Sequence, residues 1–181
     1  MTIPNIITMI RILLTPIFVI YVINDQLLTG LVILVICGIS DGLDGMIARV
    51  FKQKSRLGSY LDPLADKIIL SSAFIALSIR GFLPSWLSVV VISRDVLILI
   101  GIIIIYLNDI NLDIKPVFSS KITTCFQFTT VIAVLAQEYL LAYQDYYSYM
   151  YYVTALFTII SFLQYLYQWQ KMMACKPDKP Q

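Results

Sequence analysis

The sequence contains no histidine, and only three of its 181 residues are cysteine. The missing imidazole excludes Ser-His triads and His-bound zinc. Cys37, Cys125 and Cys175 are scattered without metal-ligand spacing, which indicates apolar filler residues. Charged residues make up only 13% of the chain against 59% hydrophobic residues, and the net charge is +2. This composition is typical of a membrane protein, and it implies no nucleic-acid partner. Any chemistry must use carboxylates, Lys, Arg, Tyr or bound ions.

Six apolar stretches are long enough to cross roughly 30 Å of hydrocarbon. They cover approximately residues 6–23, 27–48, 63–80, 85–106, 118–140 and 147–168. The pattern predicts an all-α membrane protein with six transmembrane helices. The short connections leave no room for a second domain, so residues 1–181 are predicted to form a single transmembrane domain.

Basic residues are concentrated on one predicted side of the membrane. That side carries Arg49, Lys52, Lys54, Arg56, Lys115, Lys121, Lys171, Lys176 and Lys179, whereas only Arg80 falls opposite, with Asp25, Glu138 and Asp145. The positive-inside rule therefore places both termini in the cytoplasm. Because the first span starts near residue three, with nothing upstream, we expect a bacterial inner membrane and an active site facing the cytoplasm.

Four aspartates are grouped in the segment "SDGLDGMIARVFKQKSRLGSYLDPLADK". Asp41 and Asp44 are three residues apart, and Asp62 and Asp66 are four apart, so each pair shares one helical face. We expect Asp62 to cap the third span, with Pro63 at the first helical position. If the intervening loop folds the third span against the second, all four carboxylates converge.

Four converging carboxylates need a cation among them, since each is costly within a membrane. Ligation by oxygen alone suits Mg²⁺ or Mn²⁺, and four aspartates suffice for two ions. Small residues at Gly42, Gly45 and Ala48 allow a nucleotide to approach the helix, and Arg49 can hold a phosphate. The alternative interpretation is structural: a helix cap at Asp62, and a glycine stripe that packs against another helix.

The pattern Asp41-x2-Asp44-Gly45-x2-Ala48-Arg49-x8-Gly58-x3-Asp62-x3-Asp66 resembles the signature of the CDP-alcohol phosphatidyltransferase family at every fixed position. The six-span layout is similar to that family along the whole chain. The resemblance implies transfer of a phosphatidyl group from a CDP-linked lipid to an alcohol, with release of CMP. It also implies a homodimer.

The resemblance implies specific residue roles. Asp41, Asp44 and Asp62 would ligate two metal ions, and Asp66 would contact the second ion and accept the proton of the attacking hydroxyl. The CDP portion would be held by Asn5, Gly45, Ala48, Arg49, Ser55 and Gly58.

Residues outside the motif resemble the branch of that family that joins CDP-diacylglycerol to phosphatidylglycerol, the cardiolipin synthases. Arg94, Lys115 and Lys121 are candidate ligands of the acceptor, and Arg11 could assist them. Alternatively, Arg11 is an anchor at the membrane interface, and Arg94 forms with Asp95 a structural ion pair that holds helices together. Phosphatidylglycerophosphate synthases, which use glycerol 3-phosphate, typically carry a second arginine where this chain has Ile102. That difference favours the lipid acceptor and keeps glycerol 3-phosphate as the alternative.

Two other functional classes use membrane carboxylates. A cation transporter would need a ladder of ionisable groups across the membrane, but the motif aspartates lie at one predicted face. A membrane prenyltransferase would also use a carboxylate-metal site. Here the motif aspartates are confined to one predicted hairpin and interleaved with glycine and arginine, which favours the nucleotide site.

Overall fold

The computed structural model describes residues 3–50, 58–107, 118–137 and 144–174, with side chains described for 8–40, 65–101, 120–137 and 146–170. The described residues form six helices and no strand, which confirms the predicted all-α class and number of helices. They are α1 (Ile3–Ile23), α2 (Leu27–Val50), α3 (Gly58–Ile79), α4 (Ser85–Leu107), α5 (Phe118–Leu135) and α6 (Gln144–Ala174).

The predicted start of the third span is wrong. Helix α3 begins at Gly58, so Asp62 lies inside the helix and is not its N-cap. The first turn of a helix has backbone N–H groups without intrahelical acceptors, and a proline shortly after it removes only one further bond. The helix therefore tolerates Pro63 and extends toward its N-terminus by more than a turn.

The helices pack as a ring with one contact across it. Helix α1 packs against both α2 and α3, α3 against α4, α4 against α6, α6 against α5, and α5 against α2, while α3 also reaches α5. The apolar core includes Phe18, Leu34, Phe74, Leu87 and Val131. Close helix contact at one point favours a glycine, since a Cβ on Gly38 would lie only 3.0 Å from Cζ of Phe128 on α5.

Two helix ends are joined on the side of the bundle where α1 and α3 terminate. Asp25 has a φ of 60° and Gly81 a φ of 77°. The following amides, of Gln26 and Phe82, donate to carbonyls five residues earlier, which makes each end a Schellman motif. Arg80 donates to Asp25 through Nε at 2.9 Å and also through Nη2. The pairing confirms that Asp25 and Arg80 lie at the same end.

The bundle carries apolar side chains outside and many polar ones inside. Leu13, Val89 and Leu163 are more than half exposed, whereas Thr8, Thr123, Gln127 and Thr158 are buried. Large exposed apolar surfaces mark membrane or protein contacts. Among the described residues, Tyr146–Gln170 is the one helical stretch that is long and apolar enough to cross a membrane, and Thr8–Ile23, Leu27–Ser40 and Ser120–Leu135 are shorter apolar segments.

Candidate active site

The motif aspartates lie on two helices that both pack against α1. Asp41 and Asp44 occupy α2, and Asp62 and Asp66 occupy α3, in uninterrupted helices that preserve the spacing for one shared face. Of the four, only the Asp66 side chain is described. The side chains of Asn5, Asp41, Asp44, Gly45, Ala48, Arg49, Gly58 and Asp62 lie outside the described set, and Ser55 and Lys115 lie outside the described residues altogether. The convergence of the four carboxylates stays a prediction.

The Asp66 carboxylate is held by an arginine from another helix. Nη1 of Arg11 on α1 donates to Oδ1 of Asp66 at 2.7 Å. Arg11 is only 2% exposed, whereas Asp66 is 41% exposed. A charge-assisted bond from a buried guanidinium restricts the carboxylate to a narrow range of orientations. Arg11 is therefore a buried partner of the proposed base, and not an anchor at the membrane interface.

A pocket of about 540 Å³ opens beside this ion pair. Arg11 and Asp66 form its charged part, and the rest is lined mainly by α2 and α5, including Leu34, Gly38, Phe128 and Ile132. A mostly apolar cavity with a few placed polar groups is the usual form of a small-molecule site. This pocket suits a ligand that is polar at one end and hydrocarbon at the other.

On its other side, α3 is tied to α4 by a buried charge cluster. Nζ of Lys67 donates to Oδ1 of Asp95 at 2.5 Å, and Nη1 of Arg94 donates to the same oxygen at 2.6 Å. Arg94 and Asp95 form the ion pair expected as the structural alternative, but both lie on α4, and the charged contact that joins two helices is made by Lys67 with Asp95. Two cations on one carboxylate leave the cluster with one positive charge in excess.

Arg94 also connects the cluster to α5 and α6. Its Nη2 donates to Oγ of Ser120 at 2.8 Å and to Oγ of Ser161 at 2.6 Å, and its guanidinium lies 5.7 Å from the ring centre of Tyr165. Lys121, another predicted acceptor ligand, is exposed near the start of α5. Because Asp66 and Lys67 are consecutive, the contacts of Arg11 with Asp66 and of Asp95 with Lys67 lie on one turn of α3.

Sequence reasoning underestimated Arg11 and did not single out Lys67. The sequence predicts an apolar span that begins near residue 6 and places Arg11 close to its end, but helix α1 begins at Ile3. An arginine more than two turns inside an apolar helix is a signal of a buried partner. Lys67 directly follows a motif aspartate, and no spacing rule marks it.

The donor set fits a hard divalent cation by its chemistry. The four motif residues are all aspartates, and oxygen ligands are those that Mg²⁺ and Mn²⁺ prefer. Within the described side chains there is no group of three or more His, Cys, Asp or Glu residues that could hold a metal. The metal site predicted from Asp66 and the aspartates at positions 41, 44 and 62 stays a prediction.

Comparison with known proteins identifies the family. The sequence profile of the CDP-alcohol phosphatidyltransferases matches residues 1–163. The chain is 36% identical over 151 residues to the cardiolipin synthase (CMP-forming) of Homo sapiens, covering 75% of this chain and 50% of the relative. It is 35% identical over 147 residues to the probable cardiolipin synthase (CMP-forming) of Drosophila melanogaster, covering 72% and 46%.

A relative named for a different activity is also similar. The chloroplastic CDP-diacylglycerol–glycerol-3-phosphate 3-phosphatidyltransferase 1 of Oryza sativa is 32% identical over 154 residues, covering 76% of this chain and 47% of the relative. The chain spans about half the length of these curated relatives. The match over residues 1–163, together with the intact aspartate motif, shows that the chain belongs to the CDP-alcohol phosphatidyltransferase family.

Proposed function

We propose that the protein transfers the phosphatidyl group of CDP-diacylglycerol to phosphatidylglycerol, which gives cardiolipin and CMP. The observation that carries this proposal is the Asp66 carboxylate, held by Arg11 at the charged end of a mostly apolar pocket. The cardiolipin synthases among the relatives and the isoleucine at position 102 support the lipid acceptor.

In the proposed reaction, a hydroxyl of the acceptor attacks the phosphorus that carries diacylglycerol. A new P–O bond forms while the bond from that phosphorus to the bridging oxygen breaks, and CMP leaves with the electron pair. Asp66 accepts the proton of the attacking hydroxyl, which makes the oxygen a stronger nucleophile as it attacks. Arg11 holds the carboxylate in one orientation, so the proton is accepted from a defined direction.

Asp41, Asp44, Asp62 and Asp66 would hold two Mg²⁺ or Mn²⁺ ions. When bound, such ions neutralise charge on the phosphoryl oxygens and on the leaving CMP. Around this centre, the CDP portion would be bound by the predicted ligands Asn5, Gly45, Ala48, Arg49, Ser55 and Gly58.

The pocket beside Arg11 is proposed to receive the CDP-linked lipid. Its apolar walls on α2 and α5 would contact hydrocarbon, while the reacting phosphate lies near Asp66. Because the acyl chains of a bilayer lipid are already in hydrocarbon, these walls would contribute packing contacts and not a hydrophobic driving force. For the acceptor, Arg94, Lys115 and Lys121 remain the proposed ligands.

A second candidate acceptor is glycerol 3-phosphate. It is favoured by the similarity to the rice relative, whose name specifies that substrate. Against it, a phosphate dianion would need more cationic ligands than a phosphodiester does, and the position of the second arginine is Ile102.

The proposed setting is a multi-pass membrane protein with one transmembrane domain over residues 1–181. All six helices would span the bilayer, with both termini and the active site on the cytoplasmic side of a bacterial inner membrane. The exposed apolar side chains and the family's membrane chemistry support this placement. The protein is proposed to act as a homodimer, which size determination in detergent would test.

An acceptor panel tests the function. Purified protein with CDP-diacylglycerol and Mg²⁺ should release CMP when phosphatidylglycerol is added, and chelation with EDTA should stop the release. CMP release with glycerol 3-phosphate alone would replace the acceptor and keep the reaction class. If no alcohol produced CMP, the transferase assignment would be wrong, and transport or prenyl transfer would be tested instead.

Asp66→Ala examines the proposed base. The variant should lose turnover but still be protected from thermal unfolding by CDP with Mg²⁺. Asp25→Asn is the matched control, because it changes an aspartate that pairs with an arginine at the opposite end of the bundle. It should leave CMP release unchanged.

A further inference from the structure

A second cavity lies between α4 and α6, with a volume of about 200 Å³. Its lining includes Ser93, Arg94, Leu97, Thr158, Ile159 and Phe162, none of which lines the larger pocket. Leu97 and Ile159 are about half exposed on the outer surface of the bundle. The cavity is therefore a groove that opens sideways, where the hydrocarbon of a bilayer would be.

The polar end of this groove is Arg94, which is only 3% exposed. Its Nη atoms donate to Asp95, Ser120 and Ser161, but its Nε finds no acceptor among the described residues. A buried charged N–H without an acceptor is unfavourable, and an anionic oxygen is the partner that satisfies it best.

The surrounding charge also favours an anion. Lys67 and Arg94 share the single carboxylate of Asp95, which leaves one positive charge in excess within the cluster. A ligand with one negative charge would balance it, because like charges in a low-dielectric environment repel strongly. A phosphodiester carries one negative charge.

The remaining walls favour hydrocarbon. Leu97, Ile159 and Phe162 provide apolar surface that continues outward from Arg94. A ligand that satisfies both ends has a phosphodiester and an acyl chain, as a phospholipid does. Glycerol 3-phosphate has no chain for these walls.

We propose that the α4–α6 groove binds the acceptor phospholipid, with its phosphodiester at the Arg94 guanidinium and an acyl chain along Leu97 and Ile159. The donor and acceptor lipids would then reach α3 from different sides. Lys67, which contacts Asp95, directly follows Asp66, so the charge cluster at the polar end of the groove is attached to α3 one residue away from the proposed base. This inference rests on the proposed function, and it assigns the acceptor lipid its own entrance.

Leu97→Trp tests the groove by filling it. It should raise KM for phosphatidylglycerol about tenfold or more, while KM for CDP-diacylglycerol changes less than about twofold. Ile159→Trp fills the groove from the facing helix and should give the same split, so the test survives if one variant fails to fold. Leu99→Trp is the matched control, because Leu99 is a similarly exposed leucine of α4 that does not line the groove.

Glycerophosphoglycerol, the same head group without acyl chains, separates chain binding from chemistry. Its turnover should be equally slow in the wild-type protein and in Leu97→Trp. Equal KM values for phosphatidylglycerol in Leu97→Trp and Leu99→Trp would overturn the inference, as would a rise in KM for both lipids. A loss of the dimer in Leu97→Trp with unchanged KM would assign the groove to a second copy of the chain and also overturn it. If the wild-type protein did not consume phosphatidylglycerol, the proposed acceptor itself would be wrong.

Discussion

Asp95→Asn is the substitution for which the structure predicts the largest loss of stability. The Asp95 carboxylate is 6% exposed and accepts hydrogen bonds from both Lys67 and Arg94. Asparagine has nearly the same shape and keeps one acceptor oxygen, but it removes the negative charge. The buried Arg94 and the partly exposed Lys67 would then face each other without a counter-ion.

The magnitude follows from burial. Removing one partner of a buried ion pair costs about 3–5 kcal/mol, because the remaining charge is left uncompensated. An exposed pair contributes only about 0.2–1 kcal/mol. Arg80→Gln breaks the half-exposed pair between Arg80 and Asp25, and it is the matched control. The free energy of unfolding should therefore fall several times further for Asp95→Asn than for Arg80→Gln.

Denaturant unfolding in detergent micelles or bicelles measures both variants under the same conditions. Adding Lys67→Met to Asp95→Asn removes one of the two stranded cations, so the double variant should recover part of the lost stability. The reasoning is refuted if Asp95→Asn is no less stable than Arg80→Gln, or if the added Lys67→Met lowers stability further.

Substitutions at four other positions give independent outcomes. Arg11→Met should lower kcat by about 10- to 100-fold because the Asp66 carboxylate loses its orientation, while CDP binding is retained. Arg11→Lys should recover part of the activity. A rise in KM alone would contradict the positioning role. Gly38→Val should lower the free energy of unfolding by about 1–3 kcal/mol, because the valine side chain meets the phenyl ring of Phe128. At Gly101 the nearest atom to an added Cβ is 3.9 Å away, so Gly101→Ala should stabilise its helix by up to about 1 kcal/mol. Gln127 is buried, and neither atom of its side-chain amide has a hydrogen-bond partner within the described part of the chain. Gln127→Leu should therefore raise the free energy of unfolding by about 1 kcal/mol. A loss of stability in thermal unfolding would show that the amide has a partner.

Helix number and approximate position were predictable because each apolar run is long and is separated from the next by polar or turn residues. The start of α3 was not, since Asp62 followed by proline is a strong local capping signal and the helix continues past it to Gly58. Local propensity competes there with the packing of α3 against α1. The resulting error of about one turn moves Asp62 from a cap to a position inside the helix.

The chemical identity of the site residues was readable from spacing, whereas their partners were not. The four aspartates stand out in an apolar chain, but nothing in the sequence specifies that Arg11 pairs with Asp66, fifty-five residues away. The same holds for Lys67 and Asp95. Such pairs depend on which helices are neighbours, and neighbour relations in a bundle follow from tertiary packing.

The consecutive residues Asp66 and Lys67 have opposite charges and are bound to opposite neighbours, Arg11 on α1 and Asp95 on α4. If α3 rotated about its own axis in either direction, one of these side chains would move away from its partner. A charge would then lie in apolar surroundings without that partner, which is unfavourable. The two contacts therefore oppose rotation of α3. They fix the rotation of α3 about its axis, and with it the direction in which the acidic face of that helix points.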